Sequence, residues 1–437
     1  MGGGVYYPGE GGSGRSLLID AITTESATRA AAITAEAAAR SAADAVLTAT
    51  KQATLPANAY AAYRAGLGKA GIFVPADWGT RSWFPALTAS GTTTAVCACI
   101  GDSITRGYFG TTLGGWVDIL RTALQATYGD GGSGWKGSAD TTFASSAASQ
   151  YPAQNIGVAG AGWFLNTVND GPGTAHLLTS AFADTYTVSG LRGTSITFYL
   201  LQWSGAGTYT YAVDGGASVT DTGAGANGIK AVTISGLSNT THTLVLTNAA
   251  NGTYLCPMGA IARKATGVRV DNYGRPGGLG SQLVPASPLY GHPTDWTGGS
   301  SNPADLLIYG YGVNDAHAGV TAATYLANLN TWLDRVRSSR RGKVDILIAL
   351  PHIGNWSVTA GDTALWRDYM LGVWDVARTY GAAVIDFWAR GHNSYDEWTD
   401  LVYWSDDTAG GTGGSAVHPN NAGFAFMAAD IGGVITP

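Results

Sequence analysis

A serine follows an apolar run in the stretch CIGDSITRGYFG, which covers residues 99–110. The preceding residues AVCACI have the composition of a buried strand, which ends at Gly101-Asp102-Ser103. Serine is favoured as a helix N-cap, so one interpretation of Ser103 is purely structural. The other is a nucleophile, because open α/β sheets bind ligands at the carboxyl ends of their strands. A nucleophile would also need a base and donors for an oxyanion.

The chain has seven histidines, and His418 stands in SAVHPNNAGF, a turn followed by a helical pattern. Serine nucleophiles are usually activated by a histidine within hydrogen-bond distance. A single loop histidine is more often a surface residue, and that alternative stays open for His418 taken alone. Asn314, in GVND, carries a neutral amide that can donate to an oxyanion without any change of protonation.

Three motifs, GDSIT, GVND and VHPN, occur in this order, and the chain resembles the SGNH (GDSL-type) hydrolase family over about 95–163 and 267–437. The resemblance implies that Ser103 is the nucleophile and that its backbone N–H lies in the oxyanion hole. It also implies that Asn314 donates its side-chain amide to the oxyanion and that His418 is the general base.

The family has a further oxyanion-hole glycine, usually in an N-x-G-x-x-G string. Two strings fit: NIGVAG ends at Gly160, and NYGRPG ends at Gly277. We choose Gly277, because it follows a clear strand, GVRVDNYG, and lies 37 residues before Asn314, a distance that one helix can cover. Gly160 remains the alternative.

One position departs from the family pattern. The family normally has an aspartate three residues before the histidine, but this chain has Ser415 there. Asp407 or its neighbour Asp406, in YWSDDTAGG, is our first candidate for orienting the His418 imidazole. The alternatives are a Ser–His dyad with a backbone carbonyl on the ring, or a weak or inactive enzyme.

Other titratable residues lie near the expected site. Asp102 and Asp315 are interpreted as helix-capping or sheet-end carboxylates. His317 and His352 stand at strand ends, and packing is the favoured interpretation for both.

From residue 94 onward, apolar strands alternate with helical patterns. The strands are AVCACIG (95–101), GVRVDNYG (267–274), DLLIYGYG (305–312), VDILIALP (344–351) and AAVIDFW (382–388). Near-continuous apolar strands separated by helices predict an α/β fold with a flavodoxin-like, doubly wound parallel sheet.

Residues 164–266 lack helical patterns and contain short alternating runs separated by turn residues. This indicates an antiparallel β-sandwich inserted into the hydrolase domain, which would consist of 94–163 and 267–437. Aromatic side chains on its strands suggest a carbohydrate-recognition module, and they are Tyr199, Trp203, Tyr209 and Tyr211. The alternative is that they form the ordinary core of the sandwich, as at least half of them must. We expect the insert to start near the amino end of GVRVDNYG, away from the catalytic edge.

The N-terminal part, residues 1–55, contains an Ala-rich stretch in which Ile22 and Ile33 mark an 11-residue repeat. It resembles the Ala-rich helical segments of phage tail proteins. An 11-residue repeat gives a straight or right-handed supercoil, so we expect an oligomerising stalk that forms a homotrimer. A solvated helical linker is the alternative. Residues 56–93 are expected to be a packed connector.

Composition excludes several classes. Only 12% of residues are charged, the net charge is −6, and no basic stripe is present, which argues against nucleic-acid binding. The three cysteines, Cys97, Cys99 and Cys256, are too few for a disulfide framework, and small buried apolar side chains are the better interpretation. The sequence has no stretch of about 18 apolar residues, so it predicts no membrane-spanning helix. We expect no cofactor and no metal ion.

These observations predict a serine esterase that removes O-acyl, chiefly O-acetyl, groups from a host surface polysaccharide. It would be carried on a virion tail or fibre with other tail proteins, and would act outside the host cell. A lipid or mycolyl esterase is one alternative. The other is a non-catalytic receptor-binding or structural tail protein with a vestigial hydrolase fold.

Overall fold

The computed structural model describes residues 71–108, 114–137, 156–166, 176–285, 293–352, 360–390 and 418–437. The chain divides into two compact units, Met1–Gly66 and Leu67–Pro437. The first unit lies outside the described residues, and so does the predicted stalk at 1–55.

The strands of the described part follow one another along the chain from residue 72 to residue 386. They are β1 (Ile72–Phe73), β2 (Thr94–Gly101), β3 (Gly134–Gly137), β4 (Ile156–Ala159), β5 (Phe164–Asn166), β6 (His176–Leu178), β7 (Thr185–Gln202), β8 (Thr208–Val213), β9 (Val219–Thr222), β10 (Gly228–Asn248), β11 (Pro257–Arg263), β12 (Gly267–Asn272), β13 (Leu306–Gly310), β14 (Asp345–Leu350) and β15 (Ala383–Asp386).

Helices precede, separate and follow these strands. They are α1 (Trp83–Thr88), α2 (Ser103–Arg106), α3 (Trp116–Tyr128), α4 (Pro293–Trp296), α5 (Val313–His317), α6 (Ala322–Ser339), α7 (Ala360–Tyr380), α8 (Phe387–Arg390) and α9 (Asn421–Ile435), with a 3-10 turn at Gly280–Leu283. In the described part, no helix combines the length and apolar character needed to cross a bilayer.

Six strands form the central sheet, in the order β1-β15-β14-β13-β2-β12. All five predicted apolar strands are present, and they pair in parallel. Numbered along the chain, their order is 2-1-3-4-5, which is the flavodoxin-like arrangement. The side chains of β13, β14 and β15 are buried throughout, as expected for strands covered on both faces.

The sheet is mixed rather than wholly parallel. β1, from the predicted connector at 56–93, pairs antiparallel with the edge strand β15. Nearby, the Asp345 carboxylate accepts hydrogen bonds from the backbone N–H groups of Ser82 and Trp83, both at 2.9 Å. The described part of the connector is therefore packed against the sheet.

The predicted insert forms a seven-stranded antiparallel sheet in the order β3-β11-β7-β10-β8-β9, with β4 also paired to β7. β3 and β4 precede residue 164, so the predicted boundary lies inside this sheet. The signal was missed because these two strands have only four residues each. A separate two-stranded sheet joins β5 and β6.

The long strands β7 and β10 fold this sheet over one core. Tyr186 and Val188 from the first half of β7 lie in the same buried cluster as Ile196 and Phe198 from its second half. The pairing of β7 with β10 is interrupted by register shifts between the two halves. The described residues therefore form one folded-over antiparallel sheet with a small satellite sheet, and the inserted β-sandwich stays a prediction.

A buried polar network joins the two large sheets. The Arg269 guanidinium forms an ion pair with Asp271 at 2.9 Å, and it also donates to Asn302 Oδ1 at 3.2 Å. Asp271 in turn accepts the backbone N–H of Trp135, on β3, at 2.9 Å. Arg263, on β11, reaches the same Asn302 oxygen at 3.3 Å. Because charged side chains are costly to bury unpaired, this network holds β3 and β11 against the edge strand β12.

Candidate active site

Ser103 begins the short helix α2, and only Asp102 separates it from the end of β2. Asp102 is the N-cap, and its carboxylate accepts the backbone N–H of Ile104 at 2.9 Å. The turn is tight, since a Cβ on Gly101 would lie 2.1 Å from Thr105 Oγ1 and 2.9 Å from the Gly310 carbonyl oxygen. β2 lies between β12 and β13, where the strand order reverses, so Ser103 stands at the switch point of the sheet.

His418 lies beside this serine, although 315 positions separate the two residues in the chain. The distance between Ser103 Oγ and His418 Nε2 is 2.8 Å, which is a good hydrogen bond. Both side chains are partly buried. This geometry brings together the predicted nucleophile and the predicted base.

A helix cap and a ring contact position His418. His418 stands two residues before Asn420, the N-cap of α9, whose side chain accepts the N–H groups of Ala422 and Gly423 at 2.8 and 3.0 Å. The ring of Tyr108 contacts the His418 ring edge-on, with centroids 4.5 Å apart. The Tyr108 backbone N–H donates to the Ser103 carbonyl at 3.0 Å, so Tyr108 is fixed to the same turn. Sequence reasoning missed Tyr108, although its position five residues after the serine is a usable signal.

Asn314 follows β13 on helix α5 and faces the loop after β12. One hydrogen of its side-chain amide is donated to the Gly278 carbonyl at 3.0 Å. The amide has a second hydrogen for another acceptor. Gly277, the chosen glycine, is the residue next to this contact, and it adopts a left-handed φ of 66°. Within the described residues, the Gly277 N–H donates to no protein acceptor.

Gly160, the alternative glycine, lies in the antiparallel sheet immediately after β4. A Cβ there would come within 1.6 Å of the Asp184 carboxylate. The glycine is therefore required by local packing beside Asp184, and its loop is not the one that contacts Asn314.

Two buried carboxyls lie behind the site. Burial raises the pKa of Asp102 to about 7, and the charge of Asp315 adds to the effect. Burial likewise raises the pKa of Asp315 to about 6, although the Gly280 N–H donates to its carboxylate and opposes the shift. Asp102 caps a helix as expected, and Asp315 fastens the loop after β12 to helix α5.

The structure describes some of the remaining predicted residues and leaves others outside its described ranges. His352 is buried, and its ring packs on Trp388 with centroids 4.6 Å apart, as expected for a packing residue. The same interpretation is wrong for His317, because that side chain is exposed at the end of α5. Asp406, Asp407 and Ser415 lie outside the described residues, so the choice of an orienting acid stays a prediction. Cys97, Cys99 and Cys256 are buried free thiols, which confirms their interpretation as core residues.

Comparisons with known proteins agree with this arrangement. Residues 216–426 match the model of the GDSL-like lipase/acylhydrolase family. The matched range contains Gly277, Asn314 and His418, whereas Ser103 lies upstream, separated from it by half of the antiparallel sheet. No curated protein matches the chain.

A solved structure of a peptidoglycan O-acetylesterase is 20% identical, with a TM-score of 0.59, and the match covers 80% of this chain and 93% of that one. This likeness supports the fold. A lipase/acylhydrolase from Enterococcus faecalis is 17% identical, with a TM-score of 0.31 and coverage of 39% and 76%. A family 2 carbohydrate esterase from Corynascus thermopiles is 15% identical, with a TM-score of 0.27 and coverage of 59% and 94%. At these lower scores, the last two likenesses support no conclusion.

The family match includes Asn314 and His418, and in the fold His418 lies within hydrogen-bond distance of the serine at the switch point. The chain therefore carries a GDSL-type (SGNH) hydrolase domain and is an ester-hydrolysing serine hydrolase.

Proposed function

We propose that this chain removes O-acetyl groups from a polysaccharide of a host cell surface, and that a virion tail or fibre carries it there. The observation that carries the catalytic part is the 2.8 Å contact between Ser103 Oγ and His418 Nε2 at the switch point of the sheet. The named activity of the peptidoglycan O-acetylesterase, which shares the fold, favours an O-acetylated glycan as substrate. The Ala-rich repeat of the N-terminal part favours a tail protein.

In the proposed mechanism, Ser103 Oγ attacks the ester carbonyl while His418 Nε2 takes the hydroxyl proton. The tetrahedral oxyanion receives hydrogen bonds from the Ser103 and Gly277 N–H groups and from the second amide hydrogen of Asn314. His418 then returns the proton to the sugar oxygen, which leaves as a hydroxyl. A water molecule, deprotonated by His418, then attacks the acyl-serine carbonyl, and His418 returns that proton to Ser103 Oγ as the C–O bond breaks and acetate is released.

The test compares acetate release from O-acetylated peptidoglycan sacculi by the full chain and by Ser103→Ala. Loss of the nucleophile should reduce turnover by on the order of 10⁶-fold, because serine and histidine act as one unit. Ser301→Ala, which changes an exposed serine in the loop before β13, is the matched control and should retain activity.

If Ser103→Ala released acetate at a rate within about tenfold of the unaltered chain, Ser103 would not be the nucleophile, because removal of a triad or dyad residue lowers turnover far more than this. Hydrolysis confined to long-chain fatty esters would contradict the glycan substrate and favour the lipid alternative. Release from sacculi and from p-nitrophenyl acetate, both lost in Ser103→Ala, is the expected result.

A further inference from the structure

We propose that one end of the antiparallel sheet is a binding surface for the uncharged sugars of a polysaccharide chain, and that it lies on the catalytic side of the molecule. We call this surface the aromatic end, and it comprises Phe164, Phe182, Trp203 and Tyr254. The inference rests on the proposed function for the identity of the glycan. Its geometry is independent of that function.

Strand direction puts the start of β11 on the catalytic side. β12 is parallel to β2, so its carboxyl end lies at the same edge as Ser103. β3 runs alongside β12 in the same direction, because the Gly131 N–H donates to the Val268 carbonyl and, further along, Trp135 donates to Asp271. The last residue of β3, Gly137, accepts a hydrogen bond from Arg106 in the helix that begins with Ser103.

β11 is antiparallel to β3, and Gly259 pairs with Gly137. Residues that precede Gly259 therefore extend beyond the catalytic edge, by about 3.3 Å per residue. The insert does join β12 at its amino end, as predicted from the sequence. That junction lies away from the catalytic edge, but β11 itself runs antiparallel to β3, so its first residues lie on the catalytic side.

Three loops meet beyond the start of β11. The Tyr254 N–H donates to the Gly205 carbonyl at 3.2 Å, and the Gly252 N–H donates to Ser180 at 3.2 Å. The neighbouring residue Leu255 exchanges two backbone hydrogen bonds with Thr179. These contacts tie the loops at 179–184, 203–207 and 249–256 into one end of the folded-over sheet.

Aromatic rings project from this end. Phe182 is 63% exposed, Phe164 is 49% exposed and Tyr254 is 37% exposed. Among the described residues, only Val74 and Val219 are other large apolar side chains with comparable exposure. The Trp203 ring stacks on Tyr254 with centroids 6.0 Å apart and planes inclined by 30°. Of the four aromatics singled out from the sequence, Tyr199 and Tyr209 are buried in the core, and only Trp203 belongs to this surface.

The chemistry of the loops favours an uncharged ligand. Their described sequences, SAFA at 180–183, WSGAG at 203–207 and AANGTY at 249–254, contain no charged residue. Asp184 follows the first of them, but it is buried and accepts hydrogen bonds from Thr179 Oγ1 at 2.6 Å and the Gly162 N–H at 3.1 Å. Nucleic acids and anionic membranes are held by Lys and Arg side chains, which these loops lack.

Sugar rings fit what is present. The apolar face of a pyranose packs on an aromatic ring, and its hydroxyls can bond to the backbone groups that Gly and Ala leave accessible. A polysaccharide bound here would be held on the same side of the molecule as Ser103. The surface would then raise the local concentration of esters at the site without touching the reacting atoms.

The test measures co-sedimentation of the full chain with base-treated peptidoglycan sacculi, which carry no esters, in the Ser103→Ala background. Trp203→Ala with Tyr254→Ala should raise the dissociation constant by about tenfold or more, because both stacked rings that would contact the sugar are removed. Trp203→Phe with Tyr254→Phe should restore most of the binding. Val219→Ala, which changes an exposed apolar side chain elsewhere on the same sheet, is the control and should bind within about twofold of the parent.

Thermal unfolding of each variant checks that the fold is kept. Unchanged glycan binding by the double alanine variant would overturn the inference. So would a variant that loses binding to phosphatidylglycerol vesicles, or changes its oligomeric mass, while it still binds the glycan. The acetate assay tests the proposed function separately: if the unaltered chain releases no acetate from O-acetylated sacculi, that function is refuted. A loss of glycan binding in the double alanine variant would support the binding surface even then.

Discussion

His418 has to keep its imidazole within hydrogen-bond distance of Ser103 while protons move on and off the ring. In the described part of the chain, the Tyr108 ring is an edge contact to that imidazole, at 4.5 Å between centroids. Removing the ring would let the imidazole sample other rotamers, at the expense of the productive geometry. Tyr108 is therefore a positioning residue for the base.

Tyr108→Ala should lower kcat for p-nitrophenyl acetate by about tenfold with little change in KM, because the contact orients the base and does not hold the substrate. Tyr108→Phe keeps the ring and should retain near-normal kcat. Steady-state kinetics of both variants check this. A loss in Tyr108→Phe equal to that in Tyr108→Ala would show that the hydroxyl matters and the ring contact does not.

The Asp102 carboxyl gives the fold a pH dependence of defined sign. Burial raises its pKa to about 7 in the folded chain, whereas the unfolded chain releases this proton near pH 4. Between about pH 4 and 7 the folded state therefore binds more protons, and the free energy of unfolding falls as the pH rises. This contribution levels off above the folded pKa.

Asp102→Asn keeps an acceptor for the Ile104 N–H and removes the titration. The pH dependence of the variant's unfolding free energy should differ from the parent's by up to about 4 kcal/mol between pH 4 and 7. Urea unfolding at several pH values measures the difference. Parallel curves for the two proteins would mean that Asp102 ionises normally in the fold.

At the level of secondary-structure elements, the end of helix α2 and the start of helix α3 meet at two glycines. Gly107 ends α2 with a left-handed φ of 91°, and a Cβ on Gly115 would lie 2.3 Å from the Gly107 Cα. Backbones this close leave no room for a side chain, so the crossing fixes the turn that follows Ser103.

Gly115→Ala should lower the free energy of unfolding by about 1–3 kcal/mol through overpacking. Gly433→Ala is the matched control, because nothing lies within 4 Å of a Cβ at this position in α9. It should raise stability by up to about 1 kcal/mol, the helix propensity difference between Gly and Ala. Thermal unfolding distinguishes these outcomes, and equal effects of both substitutions would refute the crossing argument.

At the level of the whole molecule, the two large sheets form one unit through the buried network around Arg269 and Asp271. Excising the predicted insert, residues 164–266, would remove β11 and β7, with which β3 and β4 pair. Removing the insert is therefore a poor test of its role, and single substitutions at the aromatic end are the sharper one.

The N-terminal part remains the basis of our proposal of a trimer. In the helix that the sequence predicts there, Ile22 and Ile33 would share one face, and a lone helix of this kind would bury too little apolar surface to be stable. The full chain should sediment at about three times its 44.8 kDa mass. Ile22→Asp with Ile33→Asp should sediment as a monomer, whereas Val74→Ala should not change the mass. A monomeric parent chain would refute the stalk proposal.

Local patterns determined much of this protein. The five apolar strands were readable because strands buried on both faces need near-continuous apolar residues, and the motifs around Ser103, Asn314 and His418 identified the hydrolase domain. These signals depend on residues close together in the chain.

The tertiary structure alone decided features that depend on contacts between distant residues. Residues 103 and 418 come within 2.8 Å only because β2 and the segment before α9 end at one edge of the sheet. Strand direction sets which way the insert extends from its junction with β12, and the pairing of β3 with β11 shows that its strands run back toward the catalytic edge. This pairing joins residues that are far apart in the chain, so the local pattern did not reveal it. Burial is likewise a property of the assembled core. Tyr199 and Tyr209 are buried and Trp203 is not, and the sequence alone, in which all three are aromatic residues of predicted strands, does not show this difference.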